Sequence, residues 1–190
     1  MSVTVCIPSI PVRSNLLISR AIPSVLSQTL PPEAVSVVVD HQKEGAWTTR
    51  NKAMETVRTK WTAFLDDDDE LLPHHLEFLT KFADENSADV VWGWFEVVGG
   101  SDPFPMHRGR QWDINDPHIF PITALVRTDL IKDSGARFRG DPNGTGNWGI
   151  QDFPFWASLW IAGGKFVGSE EITWKWYHHG RNTSGVPTRI

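Results

Sequence analysis

Three short apolar runs, Val3–Pro8, Ala34–Val39 and Trp61–Leu65, alternate with stretches of helical spacing, and the last two runs close on aspartates. Between them, Asn15 to Leu30 carries Ile18, Ile22, Val25 and Leu26 on one helical face, with Ser14 or Asn15 available as an N-cap. Trp47 to Arg58 does the same with Ala53, Met54 and Val57, extended by Ala46 and Trp61 at its ends. Strands joined through helices demand right-handed βαβ crossovers and a largely parallel sheet, so the strands' carboxyl ends lie along one edge, where open α/β sheets bind ligands. Pro23 predicts a kink or restart within the first helix, and Pro31-Pro32 end it. The expected class is α/β.

The third run delivers four consecutive aspartates, Asp66, Asp67, Asp68 and Asp69, to that edge. Carboxylates about 6 Å apart repel by roughly 0.7–3 kcal/mol per pair, so a cleft holding them needs a counter-charge. Oxygen donors of this kind select Mg2+, Mn2+ or Ca2+ over zinc. A plain acidic turn leading into the helix expected over Pro73–Asn86 would carry the same residues. Alternation along an extended segment turns Asp67 away from its neighbours, toward solvent.

The remaining pattern adds a long strand over Asp89–Val98 stopped by Gly99-Gly100, and an irregular segment over Ser101–His118 of the kind that commonly carries function. A Gly- and Asn-rich loop, Gly140–Asn147, precedes a helix expected over Pro154–Ala162. One domain accommodates the 190 residues, and no repeat or long linker divides them. The formal net charge of −5 disfavours an electrostatic grip on nucleic acid. Cys6, the single cysteine, reads as a small buried hydrophobe and leaves no intrachain disulfide. With no signal-peptide pattern and no long apolar run, a soluble cytoplasmic protein without membrane insertion is expected. Ten tryptophans against one tyrosine are assigned to the core by default; Trp112 and Trp148, in polar loops, are the candidates for ligand contact.

Taken in order, these segments resemble the family 2-type glycosyltransferases of the GT-A fold. Val3–Pro8 is similar to that family's opening strand, Ser24–Thr29 to its first-helix signature, and Val37–Asp40 to its second strand with a base-reading aspartate. Arg50-Asn51 matches its Arg-Asn pair, and Phe64–Asp69 followed by Pro73 and Leu76 resembles its metal-binding Asp-x-Asp motif and downstream helix. Gln151-Asp152 stands where the family has a Glu-Asp or similar pair, and His178–Ser184 resembles its closing segment. The resemblance runs from Val3 to Ser184 but departs at Pro11 and at His41–Glu44, where donor contacts are not carried over.

The resemblance implies a GT-A fold with a mixed, mostly parallel sheet flanked by helices. It also implies inverting, metal-dependent transfer of a sugar from a nucleoside-diphosphate sugar, a UDP-sugar first, to an acceptor hydroxyl. Residues 1–98 would form the donor and metal half, and 99–190 the acceptor half. In this scheme Pro8, Asp40, Arg50, Asp66 and Arg181 touch the donor, with Arg50 pairing with Asp40 or reaching a phosphate. Asp68 and His179 hold Mn2+ or Mg2+, with His178 the other histidine of the pair, while Asp69 holds a metal-bound water or the acceptor. Asp152 is the base, although a cap on the following helix would use the same carboxylate and the helix dipole would lower its pKa. The acceptor is a saccharide, a protein or a small molecule. His74-His75, Arg108–Arg110 and Arg137–Arg139 are expected at the surface. A nucleotidyltransferase on a related sheet is the alternative, disfavoured because Ser9–Asn15 has no glycine for a phosphate loop; a non-catalytic sugar-nucleotide-binding module is another.

Overall fold

The computed structural model describes residues 2–115, 122–140 and 149–178, with backbone only for 149–151. Strand β1, Val3–Ser9, is buried along its whole length because both faces are covered. Val3, Val5 and Ile7 enter one apolar core, while Cys6 enters the other. That burial pushes the Cys6 thiol up to about 12, so it packs as a hydrophobe, as expected.

The first helical run is not one α-helix. A 3-10 turn, Pro11–Arg13, leads into α1, Ser14–Leu16, then a π turn, Leu17–Ala21, and α2, Ile22–Leu26. Pro23 falls in the first turn of α2, where its missing N–H costs least, and the wide π turn before it relieves the crowding its ring imposes on the preceding backbone. Neither Ser14 nor Asn15 caps this run with its side chain.

Strand β2, Ala34–Val39, pairs parallel with β1, and Asp40 closes it with an N–H bond to the Ser9 carbonyl oxygen at 2.8 Å. Helix α3, Ala46–Glu55, crosses back to β3, Trp61–Phe64, which pairs parallel with β1 on its other side. Gly45 starts α3 at φ +99°, and a Cβ there would lie 2.6 Å from the Trp47 ring, so no other residue fits without moving it. Because β3 stops opposite Cys6, the aspartates that follow lie beside Pro8 and Ser9. The chain then forms β4, Glu70–Leu71, and α4, His75–Glu85, before β5, Val90–Val98.

Strand β6, Ala124–Arg127, inserts antiparallel between β3 and β5; helix α5, Thr128–Ser134, and helix α6, Gly149–Ile161, follow. Strand β7, Phe166–Tyr177, runs parallel to β5 and antiparallel to β4. The sheet order is β2-β1-β3-β6-β5-β7-β4, a mixed α/β sheet as expected. Its β5–β7 register slips around Gly93, where a Cβ would lie 2.9 Å from the Glu171 carbonyl oxygen.

Two cores flank this sheet. One packs α2 and α4 through Val25, Leu76, Leu79 and Ala83; the other packs α3, α5 and α6 through Ala53, Ile131, Phe155 and Leu159. Trp112 belongs to the second, stacked on Phe166 with centroids 5.1 Å apart and buried, which corrects its assignment to a ligand-facing loop. Its segment is pinned: Gln111 exchanges hydrogen bonds with the Gly168 backbone, and Arg108 donates twice to the Glu170 carbonyl oxygen. Trp148 lies outside the described residues. Helix α6 starts five residues before its expected first residue, Pro154, which is carried inside it.

Candidate functional site

The carboxyl ends of β1, β2 and β3 meet where expected, and the aspartates after β3 turn rather than extend: the Asp69 N–H donates to the Asp66 carbonyl oxygen at 3.2 Å. That turn overturns the alternation that sent Asp67 into solvent. Asp67 is buried, accepting from Ser9 Oγ at 2.7 Å and Arg13 Nη1 at 3.2 Å. Burial first, and then Asp68 and Asp66, raise its pKa against the hydrogen bond from Ser9.

Arginines surround the run. Arg13 Nη1 lies 2.9 Å from Asp68 Oδ2, Arg20 Nη1 donates to the Asp68 carbonyl oxygen at 2.5 Å, and Arg50 Nη2 meets Asp66 Oδ1 at 2.6 Å. Asp69 is buried and accepts from the Tyr177 N–H at 3.0 Å. Burial, followed by repulsion from Asp68 and Asp66, lifts its pKa well above the usual carboxylate range. Arg20 covers the Tyr177 ring at 3.5 Å, and Tyr177 Oη donates to Glu70 Oε2 at 2.7 Å, tying the run to the end of β7.

Asp66, Asp68 and Asp69 each offer an oxygen such that all lie within 4.8 Å of one another. Opposite ligands on a divalent cation at about 2.1–2.4 Å are roughly 4.2–4.8 Å apart, so the three carboxylates fit a hard cation such as Mg2+, Mn2+ or Ca2+. The predicted ligand Asp68 is in this set; His179 lies outside the described residues.

Asp40 is held by its own turn. Its Oδ1 accepts the N–H groups of Gln42 and Glu44 at 3.1 and 3.0 Å, and its Oδ2 accepts Gly45 N–H at 2.8 Å. The Glu44 and Gly45 bonds are the main reason its pKa is lowered. Pro8 is buried in β1, paired in register with Val38. Arg50 does not pair with Asp40.

Arg50 is 8% exposed, which corrects its alternative reading as a solvated helix charge. It lies on the buried side of α3 with Thr49, Ala53 and Met54, and its guanidinium lies between two carboxylates: Asp66 at 2.6 Å and Asp152 Oδ1 at 3.5 Å. The structure thus brings the candidate residues Asp66 and Asp152 to one guanidinium, a pairing of Arg50 that the sequence pattern did not indicate. Asp152 lies in the first turn of α6 and not at its cap. Burial raises its pKa, Arg50 opposes the rise and Asp66 adds to it, so the direction is opposite to the one expected from the helix dipole.

His75, expected at the surface, is fully buried, with Nδ1 2.9 Å from Thr173 Oγ1; burial pushes it down to about 3, so it is neutral. Its position in the stripe His75, Leu79, Ala83 was the available signal. His178 follows β7, its N–H donating to the Val98 carbonyl oxygen at 2.9 Å. Arg181 lies outside the described residues. Among the described residues, no helix is long and apolar enough to cross a membrane.

The family model described as Glycosyl transferase family 2 matches residues 20–140, which include Arg50 and the aspartate run but not Asp152. No curated protein sequence matches the chain. Among solved structures, S. aureus TarS 1–349 is similar at a TM-score of 0.75 and 18% identity, covering 92% of this chain and 60% of that one. The same protein in complex with UDP-GlcNAc gives 0.77 and 18%, covering 96% and 60%. In complex with UDP it gives 0.72 and 18%, covering 94% and 61%. The chain thus spans about 60% of those TarS 1–349 structures, and at this identity the likeness is one of fold.

Proposed function

The chain belongs to glycosyl transferase family 2, and on that premise we propose that it transfers a sugar from a nucleoside-diphosphate sugar to an acceptor hydroxyl with inversion. The observation that carries this reading is the placement of Asp66 and Asp152 on the same buried guanidinium, which puts the acidic run and a separate carboxylate at one centre. UDP is the first nucleotide to test, because TarS has been solved with UDP and with UDP-GlcNAc.

Asp66, Asp68 and Asp69 would hold a divalent cation, with His179 added from the closing segment. Such a cation, when bound, supplies positive charge beside the diphosphate oxygens. Pro8 and the Asp40 turn would border the nucleoside and Arg181 the diphosphate. Asp152 takes the acceptor proton: the acceptor oxygen bonds to the anomeric carbon, the bond to the diphosphate breaks, and its electron pair leaves with the diphosphate. A raised pKa strengthens a carboxylate as a base. Residues 1–98 would carry the donor and residues 99–190 the acceptor, with Asp152 in the acceptor half; a saccharide, a protein or a small molecule are the acceptor classes. A net charge of −5 counts against nucleic acid, and the cytoplasm is the proposed compartment.

Calorimetric titration of UDP, GDP, dTDP and CDP with and without Mn2+, repeated on Asp68→Ala, tests the donor site. Mn2+-dependent binding of one nucleotide, lost in the variant, is the expected result. No binding to folded protein would sink the assignment. Binding without turnover of the matching nucleotide-sugar would leave a non-catalytic binding module.

A further inference from the structure

We propose that the dipeptide Arg50-Asn51 is a positioning device that sets the place of Asp152 relative to the aspartate run. This inference rests on the reading of Asp152 as the base. It starts from an unusual carboxylate oxygen: Asp152 Oδ1 is buried and accepts no hydrogen bond, and Arg50 Nη1, 3.5 Å away, is its ion-pair partner. The side chain as a whole is 36% exposed, so its exposure lies on its other atoms. The guanidinium thus holds the inner oxygen while the outer part of the carboxylate stays open to an approaching hydroxyl.

Asn51 fixes the second coordinate. Its Oδ1 accepts the Phe138 N–H at 3.0 Å and its Nδ2 donates to the Phe138 carbonyl oxygen at 2.8 Å, a two-point clamp on a segment far away in sequence. The clamped Phe138 ring lies 5.6 Å from the Arg50 guanidinium carbon and stacks on Phe155 at 4.1 Å and 15°. Phe155 is one helical turn beyond Asp152 on α6. Neighbouring residues of α3 therefore hold the base twice, once by charge on its oxygen and once through Phe138 and Phe155 on its helix. Arg50 also grips Asp66, so the span from the acidic run to the base is fixed by one guanidinium.

The test uses the full chain with Mn2+ and a panel of UDP-glucose, UDP-N-acetylglucosamine, GDP-mannose and dTDP-rhamnose, reading release of nucleoside diphosphate with water as acceptor. Variants are Asn51→Ala, Arg50→Lys, Asp152→Asn and the Asn51→Ala/Asp152→Asn double, each checked by thermal melting. Asn51→Ala is expected to lower kcat by about 10- to 100-fold, as a misplaced reacting group does, while KM and nucleotide affinity stay within about twofold. In the Asp152→Asn background the same change should cost less than about twofold, because the residue it positions is gone. Arg50→Lys keeps the charge but loses the fork, should likewise lower kcat, and carries the test if Asn51→Ala does not fold.

Unchanged kcat in folded Asn51→Ala, or in folded Arg50→Lys if that variant carries the test, a loss confined to KM, or equal losses in both backgrounds would overturn the positioning role and leave the base assignment standing. Undiminished turnover by Asp152→Asn, or no turnover of any donor by the wild type, would remove the base reading and this inference with it.

Discussion

The aspartate run and Asp152 meet at Arg50, yet they are held in opposite ways. Asp66 to Asp69 have contacts from several elements: Arg13 and Ser9 beside β1, Arg20 before α2, Arg50 on α3, and the Tyr177 backbone of β7. Asp152 has the Arg50 ion pair and the packing of its helix. Redundant polar contacts fix geometry against the loss of any one partner, whereas a carboxylate held by one ion pair depends on that guanidinium and on how its helix is packed. The run also remains short of positive charge, since four aspartates face three arginines, one of them shared with Asp152. A cation would relieve the first centre and leave the second unchanged.

The comparison breaks most sharply at Asp152, held by the Arg50 ion pair and the packing of its helix. Asp152→Asn should lower turnover by about 10²- to 10⁴-fold, the span of a lost general base. Its stability should stay level or rise, because a raised folded pKa means that the ionised form is disfavoured by folding. Steady-state release of nucleoside diphosphate together with a thermal melt separates the two effects. A parallel loss of melting temperature would make Asp152 a structural residue.

Arg50→Met removes the shared guanidinium and strands both carboxylates. Asp66 keeps partial solvent contact, which moderates the loss, so about 3 kcal/mol of stability is expected to go, with a fall of roughly 6–12 °C in Tm. Adding Asp66→Asn should restore most of it. No recovery would mean that packing of Arg50 over Phe138, and not charge, dominates its contribution.

A cation tests the charge deficit directly. Mn2+ at 100 times its Kd should stabilise the folded chain by about 2.7 kcal/mol, and Asp68→Ala should abolish the shift. Asp69 supplies the sign. Its folded pKa is raised, so the folded chain binds more protons than the unfolded one above the ordinary carboxylate range, and stability falls as pH rises through that window. Asp69→Asn should therefore stabilise the protein near neutrality in the absence of metal while weakening the response to Mn2+.

His75 shows what burial does without a counter-charge. Its Nδ1 meets Thr173, its Nε2 is buried with no hydrogen-bond partner, and the ring is neutral in the fold. The unfolded chain protonates this residue near pH 6.5 and the folded chain only near 3, so stability is lost as pH falls between those values, by about 1.4 kcal/mol per unit. Denaturant unfolding at pH 7 and pH 5 should show roughly 2 kcal/mol more loss in the wild type than in His75→Gln. The difference between the two proteins isolates His75 from the raised carboxylates, whose contributions run the other way and are common to both.

Much of this was legible in the chain. The strands β1, β2 and β3 announce themselves because each is a short apolar run that meets a helix signal, and βαβ geometry then places Pro8, Asp40 and Asp66 on one edge without any contact being known. The errors share a cause. Sequence patterns report where a side chain lies along an element, and not what other elements bring to it. Asp67 was sent to solvent by strand alternation, which ends with β3 at Phe64, two residues before the turn that starts at Asp66. Arg50 fell on the buried stripe of α3, but only the arrival of Asp66 and Asp152 makes a charge tolerable there. Trp112 read as a loop residue because the loop packs by tertiary contact alone. Helix α6 began early, at a glycine that propensity argues against.

An ion pair outside these centres sets the lower end of the scale. Lys81 and Glu85 lie four residues apart on α4 at 3.7 Å, with their side chains 75% and 59% exposed. Water screens both charges, ordering two long side chains offsets what attraction remains, and the lysine precedes the glutamate, the weaker order along a helix. Lys81→Ala should change stability by no more than about 0.5 kcal/mol, and added salt should erase the difference. The same class of contact thus spans from nothing measurable at Lys81 to about 3 kcal/mol at Arg50, because a partner removed from Lys81 is replaced by water and a partner removed from Asp66 leaves a charge that the fold still encloses. A loss at Lys81 as large as that at Arg50 would mean that the burial of Arg50 contributes nothing beyond pairing itself.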